Sequence, residues 1–289
     1  KADMRVFGRY VINLALPALL FKALSQRSLG EILNLTYLVG YFVGSLSMIA
    51  LGYFWSRRVT RLNPTASAVS AMGVACSNSG YVGHPILLLT LAPVASVSLA
   101  LNMVVENLLI IPLLLFLADR GRESGNQWRS LARSLARLAR NPLILGMLAG
   151  LTVPLLGLSL PAPAVRTIDM LAAACSGLAL FVVGGTLVGV PLQGVGVRLV
   201  PIVIGKLVLH PLLVFLAISA LPLFGFAAID PMLRMAAVLL AAMPMMGIYP
   251  TLAQAYGHED LSAVALLVTT IASFFTLSAL LWLFGPSAA

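Results

Sequence analysis

The chain has 289 residues, of which 60% are hydrophobic and only 9% charged, against roughly a quarter charged in a soluble domain. Apolar runs of about 18 or more residues, each enough for one bilayer-spanning helix, recur along its length. The loops between them leave no room for a soluble catalytic domain. The net charge of +9 gathers in particular loops, as membrane topology requires, so it does not point to nucleic acid.

Nine spans follow in chain order. The first runs from about Arg9 to Leu24 and contains Pro17, and the second covers about Ile32 to Phe54. The third, about Thr65 to Leu91, and the eighth, about Met235 to Tyr256, are interrupted. The fourth, about Val94 to Leu117, carries Glu106, Asn107 and Pro112. A polar stretch from Asp119 to Asn141 precedes a short fifth span, about Pro142 to Leu158, with Pro154 inside it. The sixth covers about Ile168 to Val188, and the seventh, about Leu199 to Leu221, contains Lys206, His210 and Pro211. The ninth runs from about Leu261 to Phe284. Cys76 and Cys175 both fall inside apolar spans, as small packing residues do, rather than as a disulfide pair. The first residue is Lys1 rather than Met, which reads as a cut or processed end.

Alternating through these spans puts Lys1, Arg5, Arg9, Arg57, Arg58, Arg61, Arg120, Arg122, Arg129, Arg133, Arg137, Arg140 and Arg198 on one side. The other side receives only Arg27, Arg166 and Arg234, with Lys22 near its edge. The basic side is expected to be cytoplasmic, with the N-terminal end of the chain inside and the C-terminal end outside. Within the polar stretch, Trp128, Leu131, Leu135 and Leu138 share one helical face and Arg129, Arg133, Arg137 and Arg140 the other. Such a helix lies on anionic lipid and is expected to serve as a membrane-anchored linker between the two halves, the alternative being a regulatory or partner-binding loop.

The two interruptions carry the functional argument. They read Ser77-Asn78-Ser79-Gly80-Tyr81-Val82-Gly83-His84-Pro85 and Met243-Pro244-Met245-Met246-Gly247-Ile248-Tyr249-Pro250. In hydrocarbon, unwound backbone leaves N–H and C=O groups unpaired at several kcal/mol each, so it persists only where protein or a polar cavity covers it. Broken spans at corresponding positions of two halves point to a transporter's substrate site. Superposing Pro85 on Pro250 lays the span of Glu106 on the last span, Tyr41 on Lys206, and Pro17 near Val182. The fifth span is left without a counterpart, which would precede Lys1. The expectation is an all-α polytopic membrane protein of inverted five-helix repeats with two crossing broken helices, the first helix lying outside this chain. The repeats are residues 1–118 and 142–289, joined by the basic linker 119–141.

Four phrases carry a family resemblance. Asn13-Leu-Ala-Leu-Pro17-Ala-Leu-Leu-Phe21 resembles the second-helix phrase of the auxin efflux carrier family of membrane transporters. Residues 77–85 resemble its fourth-helix crossover, Glu106-Asn107-Leu-Leu-Ile-Ile-Pro112 its fifth helix, and Lys206-Leu-Val-Leu-His210-Pro211 its eighth. The resemblance covers nearly the whole chain. It implies ten helices in two inverted repeats, and a compact middle loop of the bacterial type, whose members are associated with malonate, malate and lactate. The second interruption is more apolar than the first, so coordination there would rest on backbone atoms.

Asn78 and Ser79 are the candidate substrate contacts, beside a half-helix N-terminus suited to a carboxylate; the alternative for Asn78 is a plain helix cap. Gly80, Gly83 and Gly247 permit close approach, and Pro85, Pro244 and Pro250 keep the helices from closing. Asn13, one turn before a kink at Pro17, either faces the crossover or satisfies carbonyls freed by that proline. Glu106 is the only carboxylate deep in a span, a candidate for coupling proton movement to transport or for a structural hydrogen bond with Asn102 or Asn107. Lys206 is the only basic residue near mid-span; it either pairs with Glu106, attracts an anion, or stands in for a coupling cation. His84 and His210 lack the companions of a metal site, and Met232, Met235, Met243, Met245 and Met246 read as adaptable filler.

The expected activity is secondary active transport of small organic anions across a bacterial cytoplasmic membrane by alternating access. A sodium-coupled carrier resembling the bile-acid symporters and a non-transporting membrane sensor are the competing readings. No enzymatic motif, metal site or cofactor is expected. The expected partners are a small carboxylate, protons or Na+, the lipid bilayer and, as an open option, a second copy in a homodimer.

Overall fold

The computed structural model describes residues 4–26, 34–120, 140–187, 199–254 and 256–284. The protein is an all-α membrane protein. Its helices are α1 (Met4–Tyr10), α2 (Leu16–Ser25), α3 (Leu35–Arg58), α4 (Pro64–Ala75), α5 (His84–Thr90), α6 (Ala92–Val105) and α7 (Ile111–Arg120). They continue with α8 (Pro142–Leu155), α9 (Ala162–Leu187), α10 (Val200–Ile204), α11 (His210–Ala220), α12 (Pro231–Ala242), α13 (Tyr249–Gln254) and α14 (Glu259–Phe284). Among the described residues the one β feature is an isolated antiparallel bridge between Ser77 and Met245. Most of the linker helix expected over Trp128–Arg140 lies outside the described residues, as do Lys1, Arg27 and Arg198.

Several starts are set by one short side chain accepting an orphan backbone N–H. Asn34 accepts from Tyr37, Asn63 from Ala66, Asn141 from Leu143 and Asp230 from Leu233, at 2.8–3.0 Å. At α4, α8 and α12 a proline follows the cap, where its missing donor costs nothing.

The other prolines do something different. Pro17, Pro85, Pro112 and Pro211 each stand two residues beyond the end of a π-helical turn, over Val11–Ala15, Ser79–Gly83, Glu106–Ile110 and Gly205–Leu209. A proline ring crowds the carbonyl four residues back and offers it no N–H. The residue before the proline therefore reaches one residue further: Leu16 donates to Val11, His84 to Ser79, Ile111 to Glu106 and His210 to Gly205. The helix widens and continues. This corrects the break expected to extend to Pro85, and it places a π turn ahead of Pro17. Unwound backbone in the first interruption is confined to Cys76–Asn78, and Pro85 sits in the first turn of α5.

Among the described residues six helical stretches are long and apolar enough to cross a membrane: Val6–Ser25, Leu35–Arg58, Ala92–Arg120, Ala162–Val182, Val200–Phe224 and Leu261–Leu283. The other three expected spans are built from shorter pieces: α4 with α5, α8 alone, and α12 with α13.

Packing divides the chain. One core joins α3, α4, α6, α7, α11, α12, α13 and α14 around Tyr37, Tyr41, Met72 and Val214. A satellite around Leu87, Leu239 and Leu240 ties α5 to α12. A separate core joins α2, α8 and α9 through Leu20, Met147 and Cys175, meeting the rest at Leu99, Ala100 and Met103. Within it α8 lies directly on α2: a side chain at Gly146 would stand 2.8 Å from the Pro17 carbonyl, and one at Gly150 2.8 Å from that of Phe21. Lys22 and Asp169 add an ion pair of 2.8 Å between α2 and α9. Cys76 and Cys175 are buried free thiols, as packing residues.

Candidate functional site

The two interruptions meet. The Asn78 N–H donates to the Pro244 carbonyl at 2.8 Å, and the Met246 N–H donates to the Cys76 carbonyl at 3.3 Å. Backbone groups released by each break are thus paired by the other, which is how unwound chain survives away from water. Glycines permit the approach: a side chain at Gly83 would stand 2.6 Å from Leu240 Cδ2, and one at Gly73 2.9 Å from the ring of Tyr249. Asn78 is buried and makes no side-chain cap bond, so the capping alternative fails; its amide nitrogen lies over Gly247. Pro244 occupies the extended segment, while Pro250 sits in the first turn of α13.

Behind the first interruption lies Glu106, in a π turn and buried. Its Oε1 accepts the Tyr41 hydroxyl at 3.2 Å and the Ser77 N–H at 3.1 Å, and its Oε2 accepts the Ser79 hydroxyl at 3.3 Å. Three donors converging on both oxygens suit a carboxylate. Asn102 donates to Ser79 Oγ at 2.7 Å rather than to Glu106, and Asn107 turns back to the Met103 carbonyl. Asn102 therefore reaches Glu106 only through Ser79, and the Asn107 amide nitrogen is taken up by Met103.

Lys206 lies in another π turn and has no exposed surface. Its Nζ donates to Ser77 Oγ at 2.7 Å and to the Ala241 carbonyl at 2.7 Å, and lies 3.0 Å from His210 Nδ1. An ammonium has three protons, and three acceptors surround this one. With His210 Nδ1 accepting, its Nε2 carries the proton and donates to Ser45 Oγ at 3.0 Å. Lys206 does not pair directly with Glu106. Ser77 stands between them, its N–H on the carboxylate and its hydroxyl oxygen on the ammonium. The lysine thereby holds the first interruption, through Ser77, and, through Ala241, the last turn of α12 that leads into the second.

The remaining candidates are dispersed. Asn13 is exposed in the first π turn, and the side chain of that span that packs on Gly80 is Leu16, at 3.0 Å from a side chain there. His84 is buried between Ser176 on α9 at 3.0 Å and Ser96 on α6 at 3.4 Å. Met243, Met245 and Met246 are core residues. No group of three His, Cys, Asp or Glu side chains is placed to hold a metal among the described residues. Tyr41, Ser45 and the Ala241 carbonyl were given no role from sequence. The superposition of Pro85 on Pro250 pairs Ser45 with His210 and Tyr41 with Lys206, which was the available signal.

A helical membrane protein with paired interruptions and a buried charged cluster beside them has the architecture of a membrane transport protein. Residues 1–283 match the membrane transport protein family, and the chain belongs to it, the family of the auxin efflux carriers. It is 34% identical to a "Putative malonate transporter" of Rhizobium meliloti (strain 1021), over 96% of this chain and 86% of that relative. It is 25% identical to the "Uncharacterized transporter YfdV" of Escherichia coli (strain K12), over 63% of this chain and 59% of that protein.

Proposed function

We propose that the protein is a secondary active transporter that carries small carboxylates across a bacterial cytoplasmic membrane by alternating access. The observation that carries this reading is the meeting of the two interruptions over a buried lysine that holds the first and the turn leading into the second. A carboxylate reaching Asn78 and Gly247 would find an amide donor and the start of a helical segment, with fixed positive charge behind it. The similarity to a protein named for malonate points to the same class of cargo.

Inverted repeats, spanning 1–118 and 142–289 with 119–141 as linker, are part of the proposal, as are nine spans. With the pseudo-two-fold axis of inverted repeats lying in the membrane plane, a spanning element that meets its own equivalent runs antiparallel to it. The superposition that pairs Pro85 with Pro250 also pairs Ser45 with His210, which are hydrogen-bonded, and Asn78 with Met243, at the meeting point of the interruptions. α3 and α11 run antiparallel, with Gly40 on Ile218 and Gly44 on Val214. Arg57, Arg58, Arg120 and Arg140 at helix ends favour a cytoplasmic face there. The group of α2, α8 and α9 serves as the frame, against which the larger group moves. Polar links from the larger group run to α9, from His84 to Ser176, and to α1, which leads into α2, from Tyr81 Oη to the Gly8 carbonyl at 3.2 Å.

Uptake of labelled malonate into proteoliposomes, with imposed proton or sodium gradients, tests the reading. Uptake driven by a proton gradient is expected; binding without accumulation under any gradient would leave a sensor. Asn78→Ala is expected to weaken substrate about tenfold or more, the worth of one hydrogen bond to a charged group, with little change in melting because no cap is lost. An Asn78→Ala protein with unaltered affinity removes that contact. Glu106→Gln keeps the size of the side chain but leaves one acceptor oxygen and no exchangeable charge, so uptake is expected to lose its response to pH. A variant with the parent's pH profile would assign Glu106 a structural role.

A further inference from the structure

We propose that the apolar cavity between α3, α4 and α10 is a binding site for an anionic phospholipid, with one acyl chain in the cavity and its phosphate on Arg58. The cavity holds about 300 Å³ and is lined by Met48, Leu51, Trp55, Val74, Val200 and Ile204, among others. Leu51, Trp55, Val200 and Ile204 are 47–52% exposed, so its mouth opens on the outer surface of the helices, where lipid lies. Ser56 and Ser70 are the polar side chains of the lining, and the Ser56 hydroxyl donates to that of Ser70 at 3.1 Å. The wall therefore offers little to a polar solute and favours hydrocarbon.

The charge at the mouth selects the lipid. Leu51, Trp55 and Arg58 follow one another at spacings of four and three on α3, which puts them on one helical face with Arg58 outermost. Arg57 is held in the following loop by donating to the Leu62 carbonyl at 2.6 Å, and Arg61 is exposed beside it. The stretch from Met48 to Asn63 contains no acidic residue. A basic mouth over an apolar cavity between membrane helices matches a phosphate head with its acyl chain. Trp55 at the rim sits where its amphipathic ring is favoured, at the level of the headgroups.

The position gives the lipid a consequence. Gly205 in the cavity wall precedes Lys206, and Val74 lies two residues before Cys76. The acyl chain packs on the outer side of the same two segments whose inner side forms the polar cluster. Its binding stiffens the entry to both.

Delipidated protein in neutral detergent is incubated with phosphatidylglycerol or with phosphatidylcholine of the same chains, and retained lipid is counted by native mass spectrometry. The expected result is preferential retention of phosphatidylglycerol, with a raised melting midpoint. Arg58→Gln should lower that retention about fivefold, the share of one basic side chain at a membrane surface. Val200→Phe, at the half-exposed rim, should lower retention of both lipids while the protein still melts cooperatively. Equal retention of the two lipids by the unaltered protein overturns the proposal. So does an Arg58→Gln protein that keeps the preference, or a Val200→Phe protein that binds like the parent. None of these readouts depends on transport.

Discussion

Lys206→Met is expected to abolish uptake and to lower the melting midpoint by several degrees. The substitution keeps the length of the side chain but removes the donors that serve Ser77, His210 and the Ala241 carbonyl. Ser77 can recover part of the loss, because its hydroxyl already lies 3.5 Å from the Ala241 carbonyl. Stranded buried acceptors cost about 1–3 kcal/mol each. Glu106 would also lose the nearby positive charge that offsets its burial, and breaking a buried charge arrangement on one side costs about 3–5 kcal/mol. The function suffers more than the stability, because one ammonium anchors the first interruption and the turn leading into the second. Lys206→Arg keeps the charge, but its planar fork does not fit three acceptors arranged around a point. It is expected to recover melting in part and uptake little. The double substitution Glu106→Gln with Lys206→Met should melt higher than Lys206→Met alone if the two charges offset one another. Parent-level uptake by Lys206→Met in proteoliposomes would remove the lysine from the mechanism, and a double variant less stable than the single would remove the compensation.

What the sequence disclosed follows from what each signal measures. Charged residues in apolar spans are costly enough that Glu106 and Lys206 stood out alone, and both are buried beside the interruptions. The interruptions themselves were legible from Gly, Pro and Asn clustered inside long apolar runs. Their limits were not: Pro85 cannot donate a hydrogen bond, yet a π turn absorbs the deficit and the chain from Ser79 onward stays wound. The same adjustment recurs before Pro17, Pro112 and Pro211, so three of the candidate clusters, around Asn13, Glu106 and Lys206, sit in wide turns that no periodicity reveals. Of the two places open to Asn13, the one facing the crossover is taken by another residue. One extra residue per turn rotates the side chains, and Leu16 rather than Asn13 comes to rest on Gly80. Contacts between distant elements were the least legible. That Ser77 would separate Glu106 from Lys206 depends on two interruptions meeting in register, which is a property of the assembled fold.

The most severe loss of folding is expected from Gly44→Leu. α3 and α11 run antiparallel with their backbones in near contact, because Gly40 and Gly44 present no side chains to Ile218 and Val214. A Cβ at Gly44 would stand 2.6 Å from Val214 Cα and 2.8 Å from its backbone nitrogen. Backbone atoms cannot rotate away, so the helices must separate. Alanine alone is expected to cost about 1–3 kcal/mol, the usual range for overpacking, and leucine more, with little folded protein recovered. The damage also has a defined route to the site. Ser45 is the next residue, and its hydroxyl lies 3.0 Å from His210 Nε2, on the far side of the ring from the Nδ1 that faces Lys206. Separating the two helices by a fraction of an ångström lengthens that bond first, so Gly44→Ala should lose uptake more steeply than it loses stability. Gly177→Ala on α9 is the control: nothing lies within 4 Å of a side chain there, and alanine is favoured over glycine inside a helix by about 0.5–1 kcal/mol. It should melt at or above the parent midpoint. If Gly44→Leu melts with the parent, the close crossing of α3 and α11 does not hold this fold together.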